Sequence, residues 1–225
     1  MPHDHHDHDH DHDHLSPSGH PYRQDQDGPL TDAQALEIAV RELLVEKGVV
    51  TADQIAAAIA RMDARSPAVG ARVVARAWTD PAFKARLLAD GSAASREMGA
   101  DIDALELVVV ENTADTHNMI VCTLCSCYPR TLLGLPPDWY KQRAYRSRAV
   151  IEPRRVLSEF GLELPEDVTV RVHDSTADMR YIVLPVRPEG TEGWSEDDLA
   201  DLVTRDCMIG VAVPKVPEAP SRAAE

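Results

Sequence analysis

Two hydrophobic rhythms divide this chain, and the change between them falls near residue 100. Before it, apolar residues recur every three or four positions, as on one face of a helix. Leu36, Ile38, Ala39, Leu43 and Leu44 follow that spacing. Thr31, with Gln34 three residues on, makes a capping box ahead of them, and Lys47-Gly48 supplies a stop. Thr51 and Gln54 repeat the box before Ile55, Ile59 and Met62. A third helix is expected near Gly70 to Ala77. A fourth starts at Asp80-Pro81, with proline at the first helical position.

From Leu105 the pattern shortens. Leu105 to Val110 is an apolar run of strand length, and Met119 to Val121 is a second, leading straight into a cysteine cluster. Pro136-Pro137 opens a short helix, and Pro153 opens another that stops at Gly161. Val168 to Val172 alternates as a strand does, Tyr181 to Leu184 is a further strand, and Ser195 with Asp198 opens the last helix. The fold class expected is α+β, without internal repeats. Four regions follow: a tail over 1–29, a helical region over 30–98, a mixed domain over 99–214 and a flexible end over 215–225.

The tail is set apart by composition. From His3 to His14 histidine alternates with aspartate almost without break, and Pro, Ser and Gly follow. Such a tract cannot build a core and reads as disordered. Its imidazoles and carboxylates suit loose binding of cobalt, nickel or zinc. It is either a passive solubilising segment or a metal-capture device.

Charge narrows the partners. The chain carries 23 basic and 38 acidic residues, a net charge of −15, which excludes nucleic acid and anionic membrane surfaces. No apolar run reaches the roughly 18 residues of a membrane span, and no basic-then-apolar leader opens the chain. Four cysteines in 225 residues are too sparse for a stapled secreted fold, so cytoplasmic, reduced thiols are expected. Aromatic residues make up 4% of the chain, a shortage that fits packing completed against a partner subunit.

The candidate chemistry lies in Cys122-Thr123-Leu124-Cys125-Ser126-Cys127. Three thiols in so short a loop converge on one soft metal ion. The amides of Ser126 and Cys127 fall within reach and, deprotonated, would add two nitrogen ligands, leaving one octahedral position open. An open position distinguishes a catalytic metal site from a structural one. A structural zinc site would need a fourth ligand, and the remaining cysteine, Cys207, is 80 residues further on. A redox dithiol would use two cysteines at the start of a helix.

This claw resembles that of the nitrile hydratase alpha subunit. The likeness continues through Leu133-Gly134-Leu135-Pro136-Pro137, Trp139-Tyr140-Lys141, Tyr145-Arg146-Ser147-Arg148 and Arg180-Tyr181, and on to Leu202-Val203-Thr204-Arg205-Asp206. It covers roughly residues 30 to 214. The resemblance implies a helical N-terminal arm that clasps a beta subunit, then a layered α/β domain that bears the claw. It implies a heterodimer or heterotetramer and a cobalt-loading activator chaperone. Thr123 at the second claw position resembles the cobalt form, so Co(3+), one per alpha subunit, is expected rather than Fe(3+). By the same resemblance Cys122 is the unmodified axial thiolate, Cys125 becomes a sulfinate and Cys127 a sulfenate. Ser126 and Cys127 then give amide nitrogens. The activity implied is that of a lyase adding water to a nitrile to give an amide, with Cys125, Ser126 and Cys127 at the reacting centre.

Residues around the claw follow from the resemblance too. Asp178 stands where relatives carry a glutamate that supports the ligands, and Arg180 follows as a structural partner; Asp174 is a second carboxylate in that segment. Asp103 stands at the pocket glutamine. Arg130 replaces a tryptophan that lines the family's substrate pocket, which favours a polar or anionic substrate. That exchange also favours the metal-bearing subunit of thiocyanate hydrolase as the nearest alternative. A non-catalytic metal-storage protein, using tail and claw together, is the alternative from another class.

Overall fold

A computed structural model describes residues 31–100, 102 and 105–217 of the chain. The His/Asp tract and Asp103 lie outside them, as do residues 218–225, most of the C-terminal segment expected to be a tail.

Both capping boxes form. Thr31 Oγ1 accepts from the Gln34 amide at 3.3 Å and Thr51 Oγ1 from the Gln54 amide at 3.1 Å, and each glutamine Oε1 accepts from the threonine amide in return. They open α1 (Asp32–Glu46) and α2 (Ala52–Asp63). Lys47 caps α1, and Gly48 follows in the left-handed conformation, φ +67°. Helix α1 buries none of its residues: Leu36 and Val49 just past it are each 64% exposed. Among the described residues its apolar stripe therefore meets no core.

The core begins at α3 (Ala68–Thr79), which buries Gly70, Ala71, Val73, Val74, Ala75 and Ala77. Asp80 caps α4 (Pro81–Ala89) by accepting from the Ala82 and Phe83 amides at 2.9 and 3.0 Å. Asp90 caps α5 (Gly91–Glu97), a helix of small and polar residues that hydrophobic periodicity did not reveal. A Cβ on Gly91 would lie 2.4 Å from the Leu107 carbonyl oxygen, so only glycine permits this approach to the next strand.

Among the described residues four strands follow, in two parallel pairs. β1 (Glu106–Glu111) is joined by a tight connection to β2 (Thr116–Val121). Then come α6 (Arg130–Leu133), α7 (Asp138–Lys141), α8 (Arg143–Ile151) and α9 (Pro153–Glu159). β3 (Thr169–Asp174) and β4 (Met179–Leu184) precede α10 (Glu196–Asp201) and α11 (Arg205–Ile209). β1 pairs with β4 from Glu106↔Met179 to Glu111↔Leu184. β2 pairs with β3 from Thr116↔Thr169 to Val121↔Asp174. Parallel pairs are covered by helices on their faces, and α5 lies on β1, α9 on β3 and α11 on β4. The helix that Ser195 caps is α10, and it is not the last: Thr204 caps α11 by accepting from the Cys207 amide, a start signal too short to carry a periodicity.

Strand β2 is buried from His117 to Val121. Its first half is polar, so the hydrophobic pattern showed only Met119 to Val121. The polar groups are paired, as burial demands. His117 Nε2 lies 2.7 Å from the Gly210 carbonyl oxygen, which makes that nitrogen the protonated one, and Asn112 Nδ2 lies 3.3 Å from His117 Nδ1. Asn112 Oδ1 accepts from the Asn118 amide at 2.7 Å, and His173 Nε2 lies 2.8 Å from Asn118 Oδ1. This network fixes the strand whose end carries the cysteines. No described helix is long and apolar enough to cross a membrane.

Candidate metal centre

Strand β2 delivers Cys122 fully buried, 0% exposed, and the chain then turns outward. Leu124 at the tip is 86% exposed, Cys125 is exposed and Cys127 is half-buried. The turn brings the thiols together. Cys122 Sγ lies 3.5 Å from Cys125 Sγ, which lies 3.2 Å from Cys127 Sγ, and all three fall within 4.8 Å of one another. The Cys125 amide donates to Cys122 Sγ at 3.3 Å. Among the described residues this is the group of three or more metal-ligating side chains that converges. Ser126 lies between the outer two thiols, half-buried. Cys207 is a buried thiol apart from the cluster, 3.1 Å from Thr204 Oγ1.

The surrounding chain holds the turn by its backbone. In the parallel register Val121 faces Asp174, so the end of β3 lies beside the claw. The Asp174 carboxylate accepts from the Thr123 amide at 2.9 Å and from Thr123 Oγ1 at 2.5 Å. Tyr140 Oη donates to the Cys127 carbonyl at 3.0 Å, Arg146 Nη1 to the Cys125 carbonyl at 2.6 Å, and Tyr145 Oη to the Ile120 carbonyl at 2.6 Å. Behind them Trp139 packs edge-on against Tyr145 and Phe160, with ring centroids 4.8 and 4.7 Å apart. The segment after the claw is thus its mounting. Sequence reasoning noted Tyr140, Tyr145 and Arg146 only as part of a resemblance; their hydroxyl and guanidinium contacts cross 13 to 25 residues and leave no local signal.

Other expected residues divide in two. Arg180 on β4 and Arg130 at the start of α6 line, with Cys125, Ser126 and Cys127, a cavity of about 410 Å³. Arg180 Nη1 donates to the Thr176 carbonyl, and its Nε is buried with no partner among the described residues. Asp178 is exposed in the turn before β4, where its carbonyl accepts from the Glu106 amide at 2.8 Å; it is not among the residues lining the cavity. Among the described residues the carboxylate in contact with the claw is Asp174.

Electrostatics favour a cation here. Burial pushes the Cys127 thiol up to about 12, its hydrogen bond to Cys125 and the charge of Cys122 push the same way, and Arg180 pulls against them. The Cys125 thiol is lowered, chiefly by hydrogen bonding from Cys127. Three like charges so close cannot all form unaided. A bound metal ion supplies the missing positive charge and deprotonates coordinating thiols, so the donor set fits a soft or borderline metal.

Fold and site together define a mixed α/β protein with a cluster of three cysteines that could hold a metal ion, on a turn after a buried parallel strand. The chain belongs to the nitrile hydratase alpha chain family, whose profile matches residues 31–212. It is 54% identical over 181 residues to the low-molecular weight cobalt-containing nitrile hydratase subunit alpha of Rhodococcus rhodochrous, covering 80% of this chain and 87% of that one. It is 47% identical over 198 residues to thiocyanate hydrolase subunit gamma of Thiobacillus thioparus, covering 83% and 82%. Among solved structures, a double mutant of the Fe-type nitrile hydratase from Comamonas testosteroni Ni1 superposes with a TM-score of 0.79 at 44% identity, over 88% of this chain and 100% of that one.

Proposed function

We propose that this chain is the catalytic alpha subunit of a nitrile hydratase, adding water to nitriles to give amides at Co(3+). The observation that carries the reading is the convergence of three Sγ atoms within 4.8 Å at the end of a buried strand, in a chain of this family. Cys122, Cys125 and Cys127 would hold the ion through sulfur, and the amide nitrogens of Ser126 and Cys127 would complete the set. When bound, the ion supplies Lewis acidity toward the nitrile and lowers the pKa of bound water. Cobalt rather than iron is supported by Thr123 and by the cobalt-containing relative.

The chain's own residues do the rest. Asp174 holds Thr123 by two hydrogen bonds, and Tyr140 and Arg146 hold the carbonyls of Cys127 and Cys125. Such outer contacts orient ligands. Oxidation of Cys125 to sulfinate and Cys127 to sulfenate suits their exposure, since both reach solvent while Cys122 does not. Arg180, beside Cys127, is a donor for those oxygens. Asp178, exposed in the turn before β4, would be a further support for the ligands, as the resemblance implies.

The beta subunit would cover the unburied stripe of α1 and α2, giving a heterodimer or heterotetramer. Loading by an activator chaperone in the cytoplasm, with the His/Asp tail as a metal trap, completes the reading. Thiocyanate hydrolysis is the second reading, favoured by Arg130 on the cavity wall and by the resemblance to a thiocyanate hydrolase subunit. The test is turnover by the chain co-produced with its beta subunit in cobalt-supplemented cells. Amide formation from small nitriles, abolished in Cys127→Ala, supports the hydratase. Thiocyanate breakdown without amide formation assigns the second reading, and neither activity with cobalt bound rejects both.

A further inference from the structure

Helix α1 buries none of its residues, and along α2 Ile55 and Ala58 are half-buried while the other described side chains are exposed. The last turn of α2 nevertheless reaches the claw. Met62, 41% exposed, lines the cavity of about 410 Å³ that Cys125, Ser126 and Cys127 also line. Backbone contacts fix its place there. The Met62 carbonyl accepts from the Arg65 amide at 3.2 Å. A Cβ on Gly134, at φ +70°, would lie 2.7 Å from the Arg65 carbonyl oxygen, and one on Gly70 would lie 2.9 Å from the Leu132 carbonyl oxygen. Glycine permits both approaches. Together they seat the α2–α3 junction, and α3 itself, on α6, the short helix that opens at Arg130 just after the claw. Met62 thus keeps a set place beside the claw although most of its helix is bare. The same cavity is lined by Ile102 and Leu107, both buried, and by Leu105, half-buried. These three side chains are branched and stiff, whereas the Met62 thioether is unbranched and bends to fit what it touches.

Resting on the reading of the claw as a hydratase centre, we propose that Met62 is a specificity-determining residue: it favours neutral aliphatic nitriles with an unbranched chain over those branched close to the nitrile group. With the nitrile at the claw, the chain lies against Met62, Leu105 and Leu107. A straight chain lets the thioether follow it and keep contact along its length. A tert-butyl group is wider, and it meets a side chain whose backbone the Arg65–Gly134 approach keeps from retreating. The helical region thereby contributes a wall of the site as well as an apolar stripe.

The experiment compares kcat/KM for hexanenitrile and for its isomer tert-butylacetonitrile, using the holoenzyme co-produced with its beta subunit. The two have the same atoms, so their ratio reports shape alone. Hexanenitrile is expected to be preferred. In Met62→Ala the ratio falls about tenfold, the size expected for gaining or losing a methylene or two of fit in an apolar pocket. The change comes chiefly through KM, which rises for the straight chain and falls for the branched one. Met62→Trp moves the ratio the other way, through loss of the branched substrate. Met62 is part-exposed, so neither exchange threatens the fold. A ratio within about twofold of wild type in Met62→Ala, even if both rates drop together, overturns the proposal and leaves nitrile hydration standing. If neither nitrile turns over, the hydratase reading fails, and the NMR signal of the Met62 methyl group decides the proposal. That signal is assigned by its absence in Met62→Ala. A shift on adding hexanenitrile to the holoenzyme supports the contact, and an unmoved signal overturns it.

Discussion

Asp174→Ala removes two hydrogen bonds from the second residue of the claw. The carboxylate accepts from the Thr123 amide at 2.9 Å and from Thr123 Oγ1 at 2.5 Å. Bonds to an ionised group contribute about 1.5–3 kcal/mol when shielded. Both residues are exposed, so screening reduces each to about 1 kcal/mol. Losing both lets Thr123 move relative to Cys122 and weakens metal binding by about 2 kcal/mol, roughly thirtyfold at 1.4 kcal/mol per decade. That lies inside the range of about 10–100-fold typical of residues that orient ligands from outside. The assay is Co(II) affinity of the reduced, metal-free chain, read from thiolate-to-cobalt absorption against a competing chelator. Thr123→Val deletes the hydroxyl bond alone and is expected to cost about fivefold. Combined with Asp174→Ala it adds little, because its partner is already gone. Affinity within about twofold of wild type in Asp174→Ala, or strict additivity in the double variant, would refute the clamp.

Gly210→Ala should be among the most damaging single exchanges. Gly210 has φ +89°, and a Cβ there would lie 2.1 Å from the Asn118 carbonyl oxygen. The left-handed conformation alone costs about 1–2 kcal/mol for alanine, and the clash displaces β2, so a loss above about 3 kcal/mol is expected in chemical denaturation; a loss under about 1 kcal/mol would mean the approach is loose. His117 should make stability pH-dependent. Burial lowers its pKa below the ordinary 6.5, against the pull of its hydrogen bond to Gly210, and burial also lowers that of His173, with Arg171 adding to it. The unfolded chain therefore takes up protons first as pH falls below 6.5, and stability present above that value is lost progressively down to the depressed folded values. Denaturation midpoints measured on either side of 6.5 should differ, and His117→Gln should flatten the dependence; an unchanged slope in that variant would contradict the buried-neutral assignment.

Much of the helical half was legible, because capping boxes and prolines are local signals: Thr31, Thr51, Asp80 and Ser195 all start helices in the structure. What stayed hidden is set by distant contacts. Strand β2 begins with Thr116, His117 and Asn118, polar residues buried only because Asn112, Gly210 and His173 satisfy them. Helices α5, α6 and α11 run four to seven residues, less than the length at which periodicity becomes readable. The three thiols were evident from spacing, whereas the assignment of Asp174 to Thr123 needed the parallel register of β2 and β3. Spacing along the chain could not rank Asp174 above Asp178.

The cobalt X-ray absorption spectrum of the holoenzyme tests the central claim most directly, because it reports which atoms surround the metal. The account predicts one cobalt per chain with three sulfur neighbours, from Cys122, Cys125 and Cys127, and light atoms completing the shell. Cobalt surrounded by nitrogen and oxygen alone, as the His/Asp tract would bind it, would contradict the claw as the metal centre.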